Sequence, residues 1–379
     1  MRGLACLAAG AALDGCAART NGPATPPATA VPRLARPDIR PERVIHTTVG
    51  LRPYRPTGFV LRAEKLGDTL LVHNYGHGGG GIALSWGTGE LAARLAQEAG
   101  VEQVAVLGCG AAGLAVSRLL QERGHVVTLY ARDLPPDTTS FRSAGQCFPG
   151  PVFERGRESS SFLQTLVEAM RLSVSRFQMM AGERYGVRWL PTYYMSQSPF
   201  AEDGLTGIRS PLRAVMPDFE VLAPHQHRFP FEYVRRFGSM VIDPGTYFSA
   251  VLEDFNAAGG RLIVRDFETA DEVLRLQARL VVNCTGLGSK TLFGDEELEP
   301  VKGQLSVLPP QAEVEYATAG GGLYMFPRRD GIVLGGTWQR GAWSLDPDDG
   351  ETDRILSGNA EVFAALRDSR PSRDATAQK

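Results

Sequence analysis

The sequence predicts an α/β protein: a Rossmann-type domain on a parallel sheet, joined to a second domain of mixed or antiparallel β-strands. Three stretches carry this expectation. Residues 103–133, QVAVLGCGAAGLAVSRLLQERGHVVTLYARD, set a short apolar run (Val104–Leu107) before glycines 108, 110 and 113 at G-x-G-x-x-G spacing. Leu114, Val116, Leu119 and Leu120 then recur at helical period, and Val126–Tyr130 reads as a second strand. In such a strand–turn–helix–strand unit the first glycine permits the turn, the second lets backbone approach a pyrophosphate, and the third lets helix pack on strand. The second stretch, Leu280–Cys284, is a buried strand that ends in the small-residue turn Thr285-Gly286, as parallel strands do where they meet a nucleotide. The third stretch holds Val301–Val307, Gly322–Phe326 and Gly331–Gly335, which read as antiparallel strands of the second domain.

The totals bound the answer. At 379 residues there is room for two domains, and 43% hydrophobic with 22% charged residues is ordinary for a globular protein. A net charge of −2 gives no argument for a nucleic-acid partner. None of the cysteines (Cys6, Cys16, Cys109, Cys147, Cys284) forms a C-x-x-C pair, so neither a zinc site nor a disulfide framework is expected, and no metal is.

Residues 1–16 combine one basic residue, a short apolar run and a small-residue site, which suggests export through a secretory signal. Leu13-Asp14-Gly15-Cys16 also resembles a lipoprotein cleavage box, which would make the protein periplasmic or lipid-anchored at Cys16. The alternative is a disordered tail on a cytoplasmic protein, and the run is too short to span a bilayer. Residues 17–41, rich in Ala, Pro and Thr, read as a linker, so 1–43 is set apart. Order begins near Val44 with an extended, proline-interrupted segment, then a strand at Leu70–His73, then a glycine loop entering a helix from about Ser85 to Glu98. Further helices are expected over 160–184, Thr246–Ala258 and 353–366, with a β-rich cap over 185–240, a strand at Arg261–Val264 and a disordered tail from Ser369. His225 and His227, in a polar loop, are expected in solvent rather than on a metal. The resulting division places 44–150 and 238–296 in the nucleotide domain, 151–237 and 297–350 in the second domain, and a helix and tail over 351–379.

Several phrases together resemble the D-amino acid oxidase and D-aspartate oxidase family of flavoproteins: VGLRPYRP at 49–56, HNYGHGG at 73–79, YARDLPPDTTS at 130–140, VNCTG at 282–286, KGQ at 302–304 and LGGTWQRGAW at 334–343. Their order differs from the family's, in which the glycine-turn unit opens the chain and the GLRP and HNYGHGG phrases close it. The chain therefore looks like a circular permutant, with the usual termini joined near Ala99–Glu102 and new ones cut between the helix at 353–366 and the strand near Val44.

The resemblance implies bound FAD and oxidation of a D-amino acid by dioxygen, with hydride transfer to the flavin. It places Gly108, Gly110, Ala111 and Gly113 at the pyrophosphate, Arg132 or Asp133 near the adenosine, and Thr138, Thr139 and Ser140 along phosphate or ribose. Gly78, Gly79, Gly80, Gly81 and Ile82 would lie along the flavin, with Thr285 and Gly286 at the VNCTG turn. Arg52 and Tyr324 are implied at the substrate carboxylate and the Gly79 carbonyl at its amine, so that no side-chain base is needed. Three departures from the family pattern stand out. Gly320 replaces a second tyrosine, Ala317 replaces an arginine of the acidic-substrate branch, and Arg132 stands where an acid often meets the ribose. A glycine- or sarcosine-type amine oxidase and a non-catalytic flavin-binding protein are the competing readings. A homodimer is left open.

Overall fold

The computed structural model describes residues 33–364, apart from Gln277, together with Leu366. The export signal, Cys16 and the polar tail expected from the sequence lie outside the described residues. The elements in order are β1 (His46–Tyr54), β2 (Val60–Leu66), β3 (Thr69–Tyr75), α1 (Gly81–Gln97), β4 (Gln103–Leu107), α2 (Ala111–Glu122) and β5 (Val126–Ala131). They continue with β6 (Gln146–Cys147), α3 (Ser160–Met179), β7 (Val187–Ser196), β8 (Glu220–Leu222), β9 (Tyr233–Ile242), α4 (Pro244–Ala257), β10 (Arg261–Val264), α5 (Ala270–Leu274) and β11 (Leu280–Asn283). The chain closes with α6 (Gly288–Phe293), β12 (Glu299–Leu308), β13 (Ala317–Gly320), β14 (Leu323–Pro327), β15 (Ile332–Gly335), β16 (Gln339–Arg340) and α7 (Asp349–Ala364).

Two sheets result. The first runs β10-β5-β4-β11-β3-β2, all parallel except the β2–β3 hairpin at one edge. Its central strands β4 and β11 are buried on both faces, because α1 and α2 cover one side and Phe267, α5 and α6 the other. The second sheet runs β1-β12-β15-β14-β13-β7-β9-β6, with β16 on β12 and β8 on β9. It is antiparallel except where β13 meets β7. Among the described residues no helix is long and apolar enough to cross a membrane.

Helix α1 packs between α2 and α3, and small residues make this possible. A Cβ at Gly87 would lie 1.8 Å from the Ala169 carbonyl, so α1 and α3 touch backbone to backbone there. The Gly87 N–H also donates to Ser173 Oγ at 2.8 Å. α1 begins at Gly81, four residues before the expected Ser85, because glycine in a first turn loses little when the helix is held by burial on nearly all sides.

Four sequence expectations about organisation need correction. β1 does not join the parallel sheet: it pairs residue for residue with β12, Arg52 opposite Val301, so residues 46–54 belong to the second sheet. The same holds for β6, which pairs with β9. Residues 33–41 are not a free linker, since Leu34, Ala35 and Ile39 pack on the core under α7. There Tyr316 OH donates to Ala35 O at 2.8 Å and the Asp38 N–H donates to Gln311 Oε1 at 2.7 Å. Finally, α7 is no appendage, because Ile355, Leu356, Val362 and Phe363 are part of that core.

Candidate active site

A cavity of about 1520 Å³ opens where the C-terminal ends of β5, β4, β11 and β3 face the second sheet. Ligands collect at this edge of an open parallel sheet because backbone donors and helix N-termini point there. Two such N-termini meet here. α2 starts after Gly110 and α1 after Gly80, and neither N-cap residue has a side chain to occupy the free N–H groups. Ala111 and Ala112 of the first, with Gly81, Ile82 and Ala83 of the second, line the cavity.

The glycine turn is built as its spacing predicts. Gly108 has φ +101°, and a Cβ there would lie 2.4 Å from the Cys284 carbonyl. Gly110 faces the cavity, whereas Gly113 does not line it and packs against the Gly108 carbonyl. Opposite the turn, Thr138, Thr139 and Ser140 also line the cavity, and Ser140 Oγ accepts from the Ala111 N–H at 3.2 Å. Thr285 and Gly286 close the floor after β11.

At the end of β5 Arg132 and Asp133 pair with each other at 2.9 Å, both exposed. The hydrogen bond from Arg132, together with its charge, already satisfies Asp133. Arg265, Asp266, Phe267 and Glu268, which follow β10, line the same end. Sequence reasoning missed them. The signal was the strand at Arg261–Val264, whose end comes beside that of β5 only through the register Val264 opposite Ala131.

The HNYGHGG loop divides into roles. His77 is fully buried, stacks on Phe59 with ring centroids 5.2 Å apart and meets Thr88 Oγ1 at 3.1 Å. Burial without a charged partner lowers it to about 4, so it is a neutral packing group. The Gly79 N–H donates to Pro151 O at 3.0 Å and the Gly80 N–H to His77 O at 2.9 Å. Gly80 does not reach the cavity, since it packs against Val152 and Leu84. The expectation that this glycine lies along the flavin is therefore corrected, and the free donors of this loop are those of the first turn of α1. Gly78 and Gly79 do line the cavity.

On the opposite wall stand Arg52 and Tyr324. The two arginines of GLRPYRP have contrasting surroundings. Arg55 is held by Asp295 at 2.8 Å and Glu297 at 2.6 Å. Arg52 has no carboxylate partner among the described residues. Its Nη1 donates to Thr337 O at 3.0 Å and Lys302 O at 3.5 Å, and its guanidinium carbon lies 5.4 Å from the Trp338 ring centre. The guanidinium rests on Gly303, where a Cβ would come within 2.3 Å of Nη2. Tyr324 lies likewise over Gly335, its cross-strand partner. Gly303, Gly335, Thr337 and Trp338 sit inside the KGQ and LGGTWQRGAW phrases but were not singled out from sequence. Gly303, Gly335 and Thr337 supply room and a backbone carbonyl rather than side-chain chemistry, and Trp338 supplies its indole face. Trp343 and Leu345, both exposed, stand at the mouth.

Gly320, at the position of the missing second tyrosine, cannot be filled: a Cβ would lie 2.2 Å from the Met195 carbonyl on β7. Gly320→Tyr is expected to lower stability by about 1–3 kcal/mol through overpacking and to leave activity no higher. Thermal unfolding beside steady-state kinetics checks it. His225 is exposed as expected, but His227 is not solvated, since both its ring nitrogens are buried beside Phe229. Among the described residues no cluster could hold a metal ion.

A family model described as FAD dependent oxidoreductase matches residues 103–376. The chain belongs to this family. Among curated relatives, a D-amino-acid oxidase from Rubrobacter xylanophilus is 29% identical over 275 residues, covering 71% of this chain and 80% of the relative. Human D-aspartate oxidase is 29% identical over 267 residues, covering 67% and 74%. Among solved structures, glycine oxidase from Geobacillus kaustophilus matches with a TM-score of 0.53 at 18% identity over 70% of this chain and 80% of that one, a likeness of fold. FAD is the cofactor of this oxidoreductase family, and the cavity fits it. Its volume, the glycine turn that a Cβ would fill, and two uncapped helix N-termini suit an elongated dianionic dinucleotide.

Proposed function

We propose that this FAD-dependent oxidoreductase is a D-amino-acid oxidase, converting a D-amino acid, dioxygen and water into a 2-oxo acid, ammonia and hydrogen peroxide. The observation that carries the reading is Arg52, a cation facing the cofactor cavity with only carbonyl oxygens and an indole face around it. A planar fork without a carboxylate of its own suits a substrate carboxylate. The Tyr324 hydroxyl, on the same wall, supplies a second donor, and the Gly79 carbonyl is the acceptor assigned to the amine. The two sheets thus grip the substrate from opposite sides, and orientation supplies most of the rate. FAD, when bound, supplies the acceptor for the α-hydrogen and its electron pair. The neutral, buried His77 is no proton acceptor from substrate, which accords with chemistry that needs no side-chain base.

We also propose that the chain is a circular permutant of the family. The match to the family model begins at residue 103, the first residue of β4, and only five residues separate it from the end of α1 at Gln97. Val44 and the end of α7 pack on one core, so a cut between them separates neighbours.

Purified protein is expected to be yellow, and anaerobic addition of a D-amino acid is expected to bleach the flavin absorbance. Peroxide should then form on readmission of air. A panel containing D-alanine, D-proline, D-aspartate, glycine and sarcosine decides the reading, which fails if only glycine or sarcosine bleaches the flavin or if nothing does.

A further inference from the structure

The parallel pairing of β11 with β3 sets His73 opposite Asn283, both fully buried in the middle of the first sheet. Asn283 Oδ1 accepts from the Thr285 N–H at 3.1 Å and from the Thr285 hydroxyl at 2.7 Å. A backbone N–H can only donate, so this contact fixes which end of the amide is oxygen. The other end, Nδ2, meets Ser289 Oγ at 3.0 Å and His73 Nδ1 at 3.0 Å. Because Nδ2 donates, His73 Nδ1 must accept, and the ring proton lies on Nε2. That proton is donated to Glu64 Oε1 at 2.9 Å, on edge strand β2, where Glu64 also pairs with Arg62. One hydrogen-bonded chain therefore runs from the sheet edge to the Thr285-Gly286 turn that floors the cofactor cavity.

We propose that His73 is a positioning residue for FAD binding: as the neutral ring protonated at Nε2, it orients Asn283, which in turn holds the Thr285-Gly286 turn against the cofactor. A proton added at Nδ1 would face the Asn283 Nδ2–H, donor against donor, and would release the turn. The charged groups facing the ring are Glu64 and Arg62 on β2 and Asp295 after α6, and the rings of Tyr75 and Phe293 pack edge-on around it. Burial, the largest influence, holds His73 below the ordinary histidine value against the opposing effect of the hydrogen bond it donates to Glu64. That hydrogen bond in turn keeps Glu64 below the usual carboxylate range. Because the folded apoprotein already holds His73 below the ordinary histidine value, FAD affinity supported by the neutral ring is fully present at and above that ordinary value and falls only as the pH passes below the lowered one.

The test is FAD titration of full-length apoprotein, followed by flavin fluorescence across pH, for wild type, His73→Asn, His73→Leu and Asn283→Asp. The wild-type dissociation constant is expected to stay level from about pH 7.5 to about pH 6.5 and to rise up to about tenfold on going further down toward about pH 4.5, the size of one lost hydrogen bond. His73→Asn places a non-titrating acceptor at the Nδ1 position, so it should stay within about threefold of wild type at neutral pH and lose the acid dependence. His73→Leu should bind about tenfold more weakly at about pH 7.5. Asn283→Asp should favour the protonated ring and flatten or invert the profile. A wild-type dissociation constant that is flat with pH, or a His73→Asn profile with the wild-type acid limb, overturns the proposal. If His73→Leu does not fold, wild type and His73→Asn still decide it.

Discussion

Arg52→Ala is expected to lower kcat/KM for every D-amino acid that the protein oxidises by about one and a half to three and a half decades. The figure follows from the cost of removing one partner of a desolvated charge-assisted pair, about 2–5 kcal/mol, at about 1.4 kcal/mol per decade. Nothing nearby can substitute. Arg55 is engaged by Asp295 and Glu297, and Arg142, the next arginine along the cavity, already pairs with Asp137 at 3.1 Å. Arg52→Lys should recover little, since an ammonium can neither keep the Thr337 carbonyl and the Trp338 face nor present a planar fork. Tyr324→Phe should cost less, about 1 kcal/mol, because the arginine would still neutralise the carboxylate. Benzoate, a planar carboxylate without an α-hydrogen, should compete with substrate and weaken in parallel at Arg52→Ala. Near-wild-type peroxide production by Arg52→Ala on all substrates would place the carboxylate clamp elsewhere.

What the sequence disclosed, and what it withheld, follows from the range of the interactions involved. The strand, glycine turn and helix at 103–133 were legible because each glycine answers a local steric need, φ +101° at Gly108 and close packing at Gly113. The same holds for the VNCTG turn, which stands at a strand end. Strand β1 was misplaced because nothing local tells an extended segment which sheet it will pair with, and its nine partners on β12 lie some 250 residues away along the chain. Asp266 and Phe267 were missed for a related reason. They reach the cavity only because β10 lies beside β5, a fact of sheet order rather than of pattern. The helix start at Gly81 and the inward-packed Gly80 were misread because glycine reads as loop unless burial is known. Arg52 illustrates the limit most directly. Taken alone, an arginine between Leu51 and Pro53 is indistinguishable from Arg55 three residues on. The acids that neutralise one and leave the other facing the cavity come from the distant segment at 295–297.

Gly113→Ala is expected to abolish retention of FAD through purification and to destabilise the apoprotein as well. A Cβ at Gly113 would lie 1.8 Å from the Gly108 carbonyl oxygen and 3.4 Å from Cys284 Cβ. The first neighbour is backbone in the tightest part of the turn and cannot rotate away as a side chain would. Relief requires α2 to move off β4, which carries the first-turn N–H groups of α2 away from the pyrophosphate position. Overpacking of this kind costs about 1–3 kcal/mol, occasionally more, and a domain of this size loses about 2–4 °C in Tm per kcal/mol. Gly110→Ala provides the contrast. Its Cβ would meet only Ser140 Oγ, at 3.2 Å, the end of a side chain that can turn. It should therefore leave the apoprotein Tm within about 2 °C of wild type, since a surface-like change without backbone conflict costs about 0.5 kcal/mol or less. FAD would still bind more weakly, because the methyl group stands where backbone must approach the phosphates. Calorimetry of the two apoproteins beside FAD titration separates the roles. Equal Tm losses in both variants, or a yellow and thermally unaltered Gly113→Ala protein, would show that the third glycine does not set the distance between helix and strand.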